Sequence, residues 1–252
     1  MSTARTAADR PEIRWPRRVN TAAYAVRFID AVGFCLLFPV KNVLLPSLYY
    51  AMTRRIPITW DKYTVKLWEW KDELPRRRRA LYTKYFRGRG TFFSRAMLAN
   101  FLALRGGSAR IAGHETFYSA GKVSHDARTL WQTLAEHGPL ATLELRHACK
   151  LDSKAGNTRF KKAILELQCL LVVTHFGAEQ ETAAWASNRL ELVARAFPEE
   201  AQQCRGITPA AARAAIAKRY LEWRADAQPM ALARLFGWSR AEAIAAMTGL
   251  RG

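Results

Sequence analysis

The sixteen residues TRFKKAILELQCLLVV, Thr158 to Val173, restrict the fold of this chain more than any other stretch. At 100° per residue, Phe160, Ala163, Ile164 and Leu167 share one arc and face inward. Arg159 and Lys162 point away from that arc and Lys161 lies at its flank. The closing LLVV reads as a buried strand. Upstream, SHDARTLWQTLAEHGP predicts a helix with Ser124 as N-cap, Leu130, Trp131 and Leu134 inside, and Gly138-Pro139 as its stop. ATLELRHACKL predicts a second, short helix capped by Thr142, followed by SKAGN as a turn. Downstream, Ala184 to Phe197 returns as a strand and a short helix. Three helices, a strand, a turn and a returning strand within about 80 residues give the order of a winged helix.

In such a unit the third helix meets DNA, so the charge of the chain matters. Lys and Arg number 40 against 21 Asp and Glu, a formal net charge of +19. Through Asp126 there are 23 against 9, leaving 17 against 12 for the remainder. Codon usage can enrich arginine over lysine, but it does not make acids scarce. The excess therefore points to a polyanionic partner, with its stronger footprint in the first half. Cations at the amino end of a helix oppose its macrodipole, a cost of a few tenths of a kcal/mol that solubility alone would not select. Asn157, Thr158, Arg159, Lys161 and Lys162 are accordingly candidate DNA contacts.

The rest of the chain divides around this unit. Residues 1–20 read as a flexible basic arm. Residues 21–118 read as a basic, helical, winged-helix-like unit, 119–205 as the central winged helix, and 206–252 as a helix-turn-helix unit. In the second of these, Ala22 to Phe38 fits a helix, LPSLYYAMTRR a short helix capped by Ser47, and a further helix is expected to start near Pro75. TFFSRAMLANFLALRGG reads as a strand and helix. Near the C-terminus, Thr208 and Pro209 open a long helix, and Ser239 with Glu242 forms a capping box after ALARLFGW. The fold class expected is mainly α with short β wings, in tandem winged-helix and helix-turn-helix units.

Chemistry concentrates in WEWKDELPRRRR. Asp72 and Glu73 are the candidate catalytic carboxylates, able to stabilise a cationic sugar or activate water. Trp68 and Trp70 beside them are candidate base-stacking platforms. The competing reading pairs Glu69, Asp72 and Glu73 with Lys66, Arg76 and Arg77 as surface ion pairs. Arg76, Arg77, Arg78 and Arg79, with Lys84, Arg87 and Arg89, are candidate phosphate contacts, and RGRG offers a tight turn for close approach. The four cysteines are isolated and the histidines make no zinc spacing with them, so no metal or other cofactor is expected. The ten-residue run Ala31 to Val40 is too short for a membrane span.

GKVSHDARTLWQTLAEHGPLATLELRHACKL with NTRFKKAILELQCLLVV resembles the central winged helix of the AlkZ/YcaQ-type DNA glycosylases, in particular their AlkZ-related branch. FIDAVGFCLLFPVKNVLLPSL and WEWKDELPRRRRALYTKYFRGRGTFFS resemble the same branch, so the likeness runs from about Ala22 to Leu250. It implies tandem winged helices cupping duplex DNA. It also implies a Q-x-Q or Q-x-D catalytic motif after a Gly-aromatic pair, but Gly33-Phe34 is followed here by Cys35-Leu36-Leu37. A second family signature, Trp with His shortly after, meets Trp70, Lys71, Asp72 and Glu73 instead. The expectation is a duplex-DNA-binding protein of DNA repair with the glycosylase motif not intact, acting as a cytoplasmic, nucleoid-associated monomer. The rivals are a glycosylase using a replacement carboxylate and a non-catalytic transcriptional regulator.

Overall fold

The structure, a computed structural model, describes Trp15 and residues 18–55, 58–106, 110–180 and 186–248. Most of the arm expected at the amino end lies outside these residues. Its described part is anchored: Trp15 packs edge-on against Phe28, Arg54 donates to the Trp15 carbonyl at 2.7 Å, and Val19 is fully buried.

Helix α1, Ala22–Val32, starts at Thr21, whose hydroxyl accepts the Tyr24 N–H. It stops at Gly33, six residues short of the sequence expectation, because the backbone there takes φ +82° and turns into strand β1, Phe34–Leu36. The run after Gly33 reads as helical from sequence because it is apolar throughout. The structure gives the reason: both of its faces are buried. Phe34 and Leu36 enter one core, Cys35 and Leu37 another. Helix α2, Leu48–Thr53, follows with Ser47 as its cap, and α3, Lys62–Arg76, opens on a capping box between Asp61 and Thr64. Pro75 therefore ends a helix rather than starting one. The i, i+3, i+4 spacing of Leu67, Trp70, Leu74 sets α3 on α1, where each is buried. Arg78, with φ +54°, breaks the chain into the hairpin β2, Leu81–Lys84, and β3, Gly90–Phe93.

These three strands form an antiparallel sheet of order β1-β3-β2, with Phe92 paired to both Cys35 and Tyr82. Helix, strand, helix, helix, strand, strand is the winged-helix order. Helices α4, Arg95–Ala103, and α5, His114–Ser119, lead to the central unit. There the order recurs: α6, His125–His137; β4, Leu140–Ala141; α7, Thr142–Ala148; α8, Lys154–Cys169; β5, Val173–Gln180; β6, Ala186–Leu192. The strand order β4-β6-β5 matches that of the first sheet. Three local expectations shift, the first being LLVV, of which only Val173 belongs to a strand, since Leu170 and Leu171 cap and turn the end of α8. Ala141, not Thr142, occupies the N-cap of α7, and Thr142 instead donates to the Asn188 carbonyl. SKAGN is no turn: Ser153 caps α8 and the rest is its first turn. Burial sorts α8 as its periodicity predicts, with Phe160, Ala163 and Leu167 inside and Ile164 half-buried.

Helices α9, Val193–Ala196, and α10, Pro198–Gln203, connect to α11, Pro209–Leu221, α12, Pro229–Phe236, and α13, Arg240–Thr248. These last three are not set apart. Ile216, Tyr220, Phe236 and Met247 share one core with Phe34, Leu36, Phe86, Phe93 and Phe101 of the first unit. The first sheet is thus sandwiched, with α1 to α3 on one face and α4 with the C-terminal helices on the other. Side chains of α11 and its end also cap α1, for Arg219 donates to the Ala31 carbonyl and Trp223 Nε1 to the Val32 carbonyl. A Cβ at Gly33 would lie 2.7 Å from Arg219 Cγ and 2.9 Å from Met97 Cγ. Gly33→Ala is therefore expected to lower stability by about 1–3 kcal/mol, from the positive φ and the forced shift of Arg219. Denaturant unfolding of the variant against the parent measures it.

Candidate nucleic-acid interface

The two winged helices join along one seam. Thr83 of β2 donates its hydroxyl to the Val173 carbonyl at 2.8 Å, and Thr174 of β5 donates to the Tyr82 carbonyl at 2.8 Å. Both threonines are fully buried. Beside them lies a buried charged cluster. Lys71 Nζ sits 2.6 Å from Asp72 Oδ2 and donates to Asn188 Oδ1 at 2.8 Å. The other Asp72 oxygen lies 2.8 Å from His175 Nδ1. With the carboxylate as acceptor, the imidazole donates from Nδ1. Burial holds the His175 pKa below the ordinary histidine value, against the pull of Asp72, and the positive charges of Lys71 and Lys84 act in the same direction as burial. Burial likewise lowers Lys71, with Asp72 opposing. The ring of Tyr82 meets that of His175 edge-on at 5.0 Å.

Of the two carboxylates singled out in the sequence, Asp72 is thus 9% exposed with both oxygens engaged. Glu73 is half-buried and paired with Arg77 at 2.8 Å. The surface ion-pair reading holds for Glu73 and fails for Asp72, whose partners come from its own neighbour Lys71 and from a strand 103 residues away. Sequence spacing carries no trace of that second partner. Trp70 is buried at 5% exposure in the core of the first unit, so it offers no ring to a base. Trp68 is exposed, and parallel to it lies Trp60, which the motif reading missed.

The cations separate into two groups. Arg76 to Arg79 close α3 at one end of β2. Among them Arg76 lies along Gly177 of β5 and Arg77 is tied to Glu73. Arg87 and Arg89 lie at the other end, beyond a strand that spans roughly 10–13 Å by its rise per residue. There the β2–β3 turn meets α8: the Cβ position of Gly88 is 3.4 Å from Leu165 Cδ1. Lys161 and Lys162 precede Leu165 by four and three residues on the same helical face. Lys84, Arg87, Arg89, Lys161 and Lys162 are all exposed. Arg159, by contrast, is held by Asp126 through two bonds of 2.8 and 2.5 Å. Asn157 is half-buried, with Arg146 donating to it at 3.4 Å, and Thr158 is exposed.

Among the described residues, no group of three His, Cys, Asp or Glu side chains is placed to hold a metal ion, and no helix is long and apolar enough to cross a membrane.

Two winged helices of identical strand order, sealed on one side by three C-terminal helices, define a tandem winged-helix protein. The chain belongs to the AlkZ-related family, whose model matches residues 19–237. Among solved structures it is similar to the DNA glycosylase AlkZ of Streptomyces sahachiroi, with a TM-score of 0.54 at 13% sequence identity. That likeness covers 94% of this chain and 61% of the other, so the chain spans about three fifths of that protein's length. None of the curated proteins matches.

Removing Asp72 would leave the Lys71 ammonium buried without its partner. Asp72→Ala is expected to cost about 3–5 kcal/mol in denaturant unfolding, the range for breaking a buried charged pair. The depressed His175 pKa sets a second expectation. Unfolding lets His175 bind a proton that the folded state resists, so its contribution is complete above its unfolded pKa, about 6.5, and is lost as pH falls from there toward the folded value. His175→Gln should flatten the stability–pH curve below that point, as thermal unfolding between pH 5 and 8 would report.

Proposed function

We propose that this protein binds duplex DNA in a repair setting, without glycosylase chemistry at its first strand. The observation that carries the reading is the surface made where the β2–β3 turn meets α8. There Lys84, Arg87, Arg89, Lys161 and Lys162 come from sequence segments some 70 residues apart and lie exposed on adjoining elements. A solvated basic face needs no such convergence. These cations would grip phosphates and position the duplex without reading its sequence. Thr158, one turn before Lys162, is the residue beside them free to reach a base edge.

Membership of the AlkZ-related family and the likeness to a DNA glycosylase support the repair setting. The loss of chemistry is argued from β1. Cys35, Leu36 and Leu37, which stand where the resemblance calls for a Gln-containing motif, are at most 2% exposed and packed in two cores. Burial also raises the Cys35 thiol far above its ordinary range. No side chain there can orient water. The rival enzyme reading rests on Asp72 and Glu73, and Asp72 has no free oxygen to offer. We further propose that the protein works as a monomer in the cytoplasm, on nucleoid DNA.

Binding of a labelled duplex across a salt series tests this. Log affinity should fall linearly with log salt. The fourfold variant Arg87→Ala, Arg89→Ala, Lys161→Ala, Lys162→Ala should reduce that slope by roughly 0.9 for each phosphate it no longer neutralises. Micromolar or weaker binding to every duplex at low salt would overturn the reading. Alkali-labile breaks in an alkylated duplex, abolished by Asp72→Asn with Glu73→Gln, would replace it with the enzyme reading.

A further inference from the structure

The β5–β6 hairpin covers the carboxyl half of α3, where Lys71, Asp72 and Arg76 meet it. The amino half stays outside. In a winged helix that is the part of the third helix offered to a groove. Its exposed side chains are not the usual readers of base edges. They are Val65, 55% exposed, and Trp68, 39% exposed, with Trp60 just ahead of the helix at 70%. Trp60 and Trp68 lie parallel, their planes 2° apart and their centroids 6.3 Å apart.

This arrangement is held in place. The Thr59 N–H donates to the hydroxyl of Tyr49, a fully buried side chain, at 2.9 Å. On the other side of Trp60, Asp61 caps α3. Trp68 is backed by Phe38, and Lys71 Nζ stands 4.9 Å over its ring. An indole exposed to this degree between two fixed neighbours has lost conformational freedom without gaining burial. The cations adjoining it in the chain are Lys62, two residues on, and Arg55; both are exposed and lie against the Tyr63 ring. The nearby acids are Asp61, paired to Arg55 at 3.1 Å, and Glu69.

We infer that Trp60, braced by Trp68, is a stacking platform for an unpaired nucleobase, so that the protein prefers DNA carrying unpaired bases to fully paired duplex. An indole offers a π-face that any base can stack on, and the flanking cations match a phosphodiester on either side of it. A duplex presents only base edges and phosphates to this face; an extruded or unpaired base presents the ring that Trp60 lacks. The inference rests on the DNA-binding reading above and adds the feature of the DNA that is recognised.

The experiment is a titration, at one salt concentration, of a short duplex and the same duplex with two unpaired bases, using the parent, Trp60→Ala and Trp60→Phe. The parent should bind the unpaired form more tightly. Trp60→Ala should lose about fivefold or more on that form and change within about twofold on the paired duplex, while Trp60→Phe keeps most of the preference. Quenching of tryptophan fluorescence by the unpaired form should shrink in Trp60→Ala. A parent that binds both forms equally, with Trp60→Ala neutral, overturns this inference and leaves the duplex-binding reading standing. A parent that binds neither form at low salt overturns both. If sedimentation shows a dimer that Trp60→Ala dissolves while DNA affinity is unchanged, the platform is a self-association face and the inference fails.

Discussion

The arrangement of the two winged helices depends on how one carboxylate is satisfied. Asp72 lies between Lys71 on its own helix and His175 on the strand of the other unit, largely withdrawn from solvent. A buried charge is tolerated only with partners on hand, and here each partner belongs to a different side of the seam. The Lys71 bond to Asn188 and the reciprocal threonine bonds between β2 and β5 extend the same joint. What lies outside the seam is then determined. The carboxyl half of α3 is covered, one face each of its amino half and of α8 stays exposed, and the β2–β3 turn rests on Leu165.

That geometry decides which of the many cations are available. Arg77, Arg95, Arg159, Arg195, Arg213, Arg219 and Arg224 are each paired with an acid of the same chain. The exposed ones among these pairs contribute little to stability, but all of them reduce the field felt at those points. The cations left exposed on adjoining elements, from Lys84 through Lys162, sit where the two units touch. A count of net charge sees +19 and cannot see this sorting.

The central unit was legible because its signals are local. Ser124 caps its helix through its own backbone neighbour, and the buried face of α8 follows a 3.6-residue period, although the Ser153 cap was read as part of a turn. The first unit was less legible because its strands are buried on both faces. Phe34 to Leu37 shows no alternation between apolar and polar residues, and nothing in it distinguishes a strand from a helix. The proline at 75 signals a helix start in general, and here the stronger Asp61–Thr64 capping box overrides it. The candidate site divides in the same way. Exposure of Lys161 and Lys162 follows from their place on α8, whereas the ties of Asp72 to His175 and of Arg159 to Asp126 span 103 and 33 residues and have no local signature. The brace between Trp60 and Trp68 escaped because the chain between the two rings includes a helix start.

The shared core of Phe34, Phe86, Phe101 and Phe236 has a consequence for how the protein is made. A ribosome delivers Phe101 well over a hundred residues before Phe236. At roughly 5–20 residues per second, the aromatic face of the first sheet waits on the order of ten seconds or more for the helices that cover it. During that interval this face of the first sheet is covered only in part, by α4 and then α9 and α10. Helices α11 to α13 then close this core, so their arrival, rather than the completion of α1 to β3, is what withdraws its aromatic side chains from water.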